Sequence, residues 1–172
     1  MKKTTKTKLL AIVVLLTCFA GTSFAQATAT ATATATIVTP ISISKTADMS
    51  FGNIAVSAST GGTVVLAPAG TRTSTSGVTL PATAGTVTAA AFTVNGTGSY
   101  TYAITLPSTT TLTRVSGTET MTANAFTSNP SGTGALTGGT QALAVGATLT
   151  VAAAQVAGTY NSTAFNVTVN YN

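Results

Sequence analysis

Histidine and tryptophan are absent from all 172 residues, cysteine occurs once, and there are two acidic residues. Each shortage removes a class of chemistry. Without His the chain lacks the usual general base, the usual activator of a serine nucleophile and the usual metal ligand. The lone Cys18 lies in an amino-terminal export segment, so the rest of the chain has no thiol chemistry, no disulfide and no cysteine-held metal. Asp48 and Glu119 stand about seventy residues apart, whereas glycoside hydrolysis needs two carboxyls facing each other across a cleft. Asp48 is better placed as a solvated turn residue beside Lys45. No cofactor, no metal and no enzymatic activity are expected.

Basic charge is also scarcer than the net charge of +5 suggests. Four of the seven cations, Lys2, Lys3, Lys6 and Lys8, form a basic head before the apolar run of residues 9–16. Ser23-Phe24-Ala25 follows, with small residues where a signal peptidase reads. That order predicts a cleaved secretory signal over residues 1–25, cut before Gln26, with an apolar run too short to anchor in a bilayer. Thr17 stands where a lipoprotein site carries Gly, Ala or Ser before its cysteine, so the expected product is unanchored. The protein is then exported through the periplasm to the cell surface or medium, with no membrane span after cleavage. Lys45, Arg72 and Arg114 remain against Asp48 and Glu119, a net charge of about +1. The cations are isolated and not interleaved with aromatics, which excludes nucleic acid as a partner.

What is abundant is Thr, Ala, Ser, Gly and Val. The branched Cβ of Thr suits a pleated sheet and its hydroxyl suits water. Residues 26–172 are one domain's worth of chain, able to bury roughly 68–70% of its unfolded surface without covalent staples. Residues 27–36 alternate Ala and Thr strictly, which specifies strand register weakly because a slip of two residues changes nothing. Residues 26–40 are therefore set apart as an extension, and residues 41–172 as the folded domain. Period-two patterns recur at Ile41 and Ile43, at Tyr100, Tyr102, Ile104 and Leu106, and at Met121, Ala123 and Ala125. They recur again at Leu143, Val145, Ala147, Leu149 and Val151, where Gly146 marks a bulge or bend. Asn95-Gly96 predicts a hairpin between residues 89–94 and 100–106. Gly96-Thr97-Gly98 and Gly132-Thr133-Gly134 read as turns, since no helix and no P-loop Lys follows them. Residues 151–156 are the one candidate helical turn. Many short strands with regular Gly and Pro punctuation predict an all-β, mainly antiparallel, immunoglobulin-like or pilin-like β-sandwich.

The tail of residues 158–172 carries Gly158, then the apolar comb Phe165, Val167, Val169 and Tyr171, with Tyr171 penultimate. It resembles the terminal strand of chaperone–usher pilus subunits, which has that Gly and that penultimate aromatic. In that family an immunoglobulin-like sandwich lacks its last strand, which a periplasmic chaperone and then the amino-terminal extension of the next subunit supply. Residues 41–53, 92–96, 145–149 and 158–172 together resemble the bacterial family DUF4402, a domain of unknown function. The resemblance implies a non-enzymatic exported structural subunit of a fimbria-like or cell-surface appendage, assembled by donor-strand exchange. Gly158, Phe165, Val167, Val169 and Tyr171 are the candidate assembly strand, and Ile37, Ile41 and Ile43 the candidate donor segment. Three Ile bury more than five Ala methyls, so the Ala-Thr run is a spacer or part of a strand added from outside. Pro40 interrupts the backbone ladder there and weakens the donor case. Candidate partners are further copies of the chain, neighbouring subunits and a periplasmic chaperone. Two alternatives stand beside this. In one, the sandwich is self-complete, with Ile41 in its first strand, and the protein is a secreted adhesin or binding module. In the other it is an outer-membrane barrel, for which four Tyr and no Trp make a poor aromatic girdle.

Overall fold

Alternation of methyl-bearing and hydroxyl-bearing residues favours strands with one face buried and one wet, and strands are what form. The computed structural model describes residues 25–172, which contain strands and turns and no helix. The expected export signal, with Cys18, lies outside the described residues except for Ala25. Contacts divide the chain at Thr36/Ile37, and the fold is that of Ile37–Asn172. In the other unit, residues 25–36 are exposed and belong to no strand.

The strands are β1 (Ser42–Ala47), β2 (Ser50–Phe51), β3 (Ala55–Val56), β4 (Gly62–Leu66), β5 (Arg72–Ser74), β6 (Val78–Thr79), β7 (Val87–Thr88) and β8 (Ala90–Asn95). They continue as β9 (Thr101–Thr105), β10 (Thr109–Arg114), β11 (Thr120–Asn129), β12 (Thr133–Ala135), β13 (Thr140–Val151), β14 (Tyr160–Ser162) and β15 (Thr168–Tyr171). The main sheet runs β1-β8-β13-β11-β10-β14, with β4 also beside β13 and β5 beside β4. A second sheet, β12-β9-β15, covers one half of it, and the ribbons β2-β7 and β3-β6 cover the other. All of these pairings are antiparallel. The fold is an all-β antiparallel sandwich, as the patterning predicts.

The core has two parts, an upper one under the second sheet and a lower one under the ribbons. Under the second sheet, Val94, Leu143 and Val145 pack against Tyr102, Leu136 and Val169. Under the ribbons, Val64, Leu66, Leu149 and Val151 pack against Phe51 and Val78. Met49 and Phe126 touch both. Each Leu or Val removed from water here contributes roughly 1.5–3 kcal/mol. Tyr102 is fully buried, and its hydroxyl donates to Gln141 Oε1 at 2.8 Å, joining the second sheet to β13. The same Oε1 accepts from the Ala135 amide at 2.8 Å.

Strand β13 holds the main sheet together. Residues Thr140 to Val145 pair with β8 and Ala147 to Val151 with β4, while β11 lines the other side. Gly146 sits where the partner changes, and a Cβ there would collide with the Leu66 carbonyl and the Ala67 and Pro68 backbone. The expected irregularity at Gly146 lies across from it. On β11, Asn124 faces Thr148 and Thr127 faces Gly146, so Ala125 and Phe126 together oppose Ala147. This bulge, with Ala125 at φ +47°, reverses the strand's parity. Ala125 is therefore exposed, and Phe126 and Ser128 take over the inward face that Met121 and Ala123 begin.

Three local expectations are corrected. The Asn95-Gly96 hairpin does not form: β8 already has β1 on one edge and β13 on the other, so β9 goes to the second sheet. Gly134 lies inside β12 under the Tyr102 ring and is not a turn residue. Residues 151–156 form no helix: Val151 ends β13 and the chain turns at Ala153-Ala154.

Four of the five charged side chains of residues 25–172 sit in two local pairs, and Arg72 is the fifth. Lys45 and Asp48 meet at 2.6 Å on the open surface, and Arg114 Nε donates to Glu119 Oε2 at 2.6 Å in a half-buried position. Hydrogen bonding from Arg114 lowers the carboxyl of Glu119, and burial raises the phenol of Tyr102.

Two outcomes follow for stability. Gly146→Val should lower stability by about 1–3 kcal/mol, seen in a thermal melt as a fall of about 2–4 °C per kcal/mol. The Glu119 contribution is present above the ordinary carboxylate range and is lost as pH falls through its lowered value. The Tyr102 contribution is present below the ordinary tyrosine range, about 10, and is lost as pH rises through its raised value. Melting temperature should therefore be flat from about pH 5 to 9. Glu119→Gln should shrink the acid decline and Tyr102→Phe the alkaline one.

Candidate functional site

The carboxyl-terminal comb alternates as its spacing demands. Phe165, Val167, Val169 and Tyr171 point inward and join the upper core, while Asn166, Thr168 and Asn170 are exposed. Phe165 packs on Phe126 with ring centroids 5.3 Å apart and planes tilted by 52°. The tail is nevertheless two strands. Tyr160 to Ser162 form β14 on the edge of the main sheet beside β10, and the chain then crosses to β15 on the second sheet. Gly158 belongs to the bend before β14, at φ +150° with the Arg114 stem against it, and so is separated from the comb.

Strand β15 has one paired edge. Ile104 donates its amide to Gly132 on the far side of β9, and Asn172 donates to Thr101 at 3.2 Å. In an antiparallel ladder this alternation places Thr168 and Asn170 in the hydrogen-bonded pairs. The amides and carbonyls of Val169 and Tyr171 are turned outward. Among the described residues no strand pairs with that outer edge.

Tyr171 gathers both ends of the domain. Its hydroxyl donates to the Thr39 carbonyl at 2.9 Å and accepts from the Thr97 amide at 2.7 Å. The Thr39 amide in turn donates to Thr97 Oγ1 at 3.0 Å. Gly96 leaves room for the phenol, since a Cβ there would overlap the Tyr171 oxygen. This is the physical use of Asn95-Gly96: the turn lets the chain change sheets around a tyrosine. Tyr100 packs on the same ring at 5.6 Å.

The three Ile of the donor segment are separated. Ile41 and Ile43 pack into the upper core of their own chain, where Ile43 in β1 faces Val94 of β8. Ile37, before Pro40, is 97% exposed. The exposed strand-forming stretch is thus Ile37 and the Ala-Thr run before it.

A cleft of about 730 Å³ opens in the lower half of the sandwich. Leu112, Met121, Leu149 and Val151 form its floor, residues 49–56 one wall and residues 155–161 the other. The first wall is tied down by Arg72, which donates to the carbonyls of Phe51, Asn53 and Ala84. The second is braced by Tyr160, whose hydroxyl donates to the Val156 carbonyl at 2.7 Å and accepts from Gln155 Nε2 at 2.9 Å. Arg72, Gln155 and Tyr160 escape sequence reasoning because their partners are backbone atoms and neighbours in a loop; no residue spacing announces them. Among the described residues no group of three or more His, Cys, Asp or Glu could hold a metal, and no helix is long and apolar enough to cross a membrane.

The described domain is an antiparallel sandwich with an unpaired terminal edge, an exposed stretch before it in sequence and a cleft lined by no charged residue. The chain belongs to the family described as domain of unknown function (DUF4402), whose model matches residues 41–171. No curated protein and no solved structure matches it.

Tyr171→Phe should loosen the junction at Thr39 while the comb keeps its packing. The expected cost is about 0.5–1.5 kcal/mol. Amide hydrogen exchange at Thr97 and Thr39 should accelerate by about tenfold for each 1.4 kcal/mol lost, with little change in β13.

Proposed function

We propose that this chain is a non-enzymatic, exported structural subunit of a fimbria-like or cell-surface appendage, joined to its neighbours by strand exchange. The unpaired outer edge of β15 carries this reading. It presents the Val169 and Tyr171 backbone groups beside an apolar comb, and an open edge of this kind is a template for a strand from another chain. The comb with its penultimate Tyr171 keeps its resemblance to the terminal strand of chaperone–usher pilus subunits, while Gly158 lies outside that strand. The lack of catalytic equipment points the same way: there is no His in the chain, and each of the two carboxylates has its own cation. A surface material with so few ionic groups loses little cohesion when salt or pH changes outside the cell.

An antibody to the folded domain should label filaments sheared from the cell surface along their length when viewed by electron microscopy. Deleting residues 26–36 while keeping the export segment should abolish labelled filaments and leave exported monomer. Label confined to soluble protein in cells carrying the full chain would sink the proposal.

A further inference from the structure

We infer that the lower cleft receives the Ala-Thr arm of a second copy of this chain as an added strand, an inference that rests on the proposed assembly of subunits by strand exchange.

The cleft has the three surfaces a strand requires. Its floor is apolar, made by Leu112, Met121, Leu149 and Val151. One wall is an unpaired backbone edge: Asn53 and Ser57 donate to Ala84 and Gly77 at 2.7 and 2.8 Å, on the side of β6 and β7. Alternation turns the amides and carbonyls of Ile54 and Val56 the opposite way, towards the cleft. The other wall ends in Val156, a large apolar side chain left 44% exposed. An incoming strand would add a ladder to Ile54 and Val56 and set alternate side chains on the floor, the mode in which backbone bonds give affinity and side chains give register.

Chemistry narrows the occupant. No charged residue lines the cleft, so a charged peptide would lose hydration there without a partner. No side chain of residues 26–39 is charged. Ala27, Ala29, Ala31, Ala33 and Ala35 share one face with Ile37, while the intervening Thr residues offer hydroxyls to water. Methyls this small suit a slot whose floor already holds Leu112 and Met121. The ten residues 27–36 reach about 33–36 Å when extended, longer than a typical strand of about 17–20 Å. The Ala-Thr repeat also permits slips of two residues at no loss of side-chain match, so length is forgiving.

Protection of the β1 edge narrows the choice. Strand β1 at the edge of the main sheet carries Lys45 and a register shift beside it, two devices that discourage strand addition. The edge at Ile54 and Val56 carries neither.

Full-length chains carrying Thr32→Cys should be mixed with chains carrying Val156→Cys, both in a Cys18→Ser background, and oxidised gently. A mixed disulfide dimer should form at least tenfold more abundantly than with Val65→Cys, an exposed position on the outer face of β4. A dimer formed preferentially with Asn170→Cys would place the arm at β15, overturning this inference while leaving assembly by strand exchange standing. Equal yields with every partner would reveal random collision and overturn the inference. No mixed dimer at all would overturn both it and the strand-exchange reading.

Discussion

The structure depends on one strand accepting three neighbours. Strand β13 pairs with β11 along one side and with β8 and then β4 along the other. Its inward side chains, Leu143, Val145, Ala147, Leu149 and Val151, serve both halves of the core in sequence. That arrangement requires Leu66 to close over β13 where β8 gives way to β4, and only a residue without Cβ leaves the space. Gly146 thus fixes the partner change, and the bulge at Ala125 and Phe126 adjusts β11 to the same point. Phe126 is turned inward there and touches both core halves. A chain with two small ion pairs and no disulfide among its described residues has little besides ladders and packing to hold it, so continuity along β13 matters more than any polar contact.

The same economy leaves edges exposed. Soluble β-proteins usually guard them with charge, bulges or covering segments, and this sequence has very little charge to spend. Lys45 guards β1. Arg72 is used inward, on the carbonyls of Phe51, Asn53 and Ala84, where it stiffens one wall of the cleft. The outer edge of β15 and the edge at Ile54 and Val56 are left with backbone groups turned away from their neighbours. In a protein selected to remain alone, unguarded edges would be a hazard; under the proposed assembly they would be the surfaces that do the joining.

Much of this was legible in the residues, and what was not failed for identifiable reasons. The period-two runs at Tyr102 and Ile104, along β13, and from Phe165 to Tyr171 all face as their spacing demands, because alternation is a local consequence of the pleat. Strand partnership is a different matter. Asn95-Gly96 has ideal hairpin chemistry, yet its Gly is needed for a tyrosine seventy-odd residues away, a fact that lives in tertiary structure. The parity break at Ala125 is equally silent, since Ala is not the residue that usually marks a left-handed bulge. The tail looked like a single strand because its comb is continuous with Gly158 by count alone. Tyr160 diverts it to β10 first. The cleft was invisible because its walls are defined by which backbone edges lack partners.

The junction at Tyr171 links these observations mechanically. Thr39 stands at the root of the arm, and the phenol ties it to β15 and to the turn after β8. Tension applied through the arm therefore reaches the domain first at that hydroxyl. It passes next to β1, whose ladder with β8 runs from Ser42 opposite Asn95 to Ala47 opposite Ala91. A load directed along β1 would shear those bonds together rather than open them one at a time. Behind β8 stands β13, the strand shared by everything else. Tyr171 thus braces the chain where the arm leaves the domain, which would suit the proposed role as a subunit joined to its neighbours.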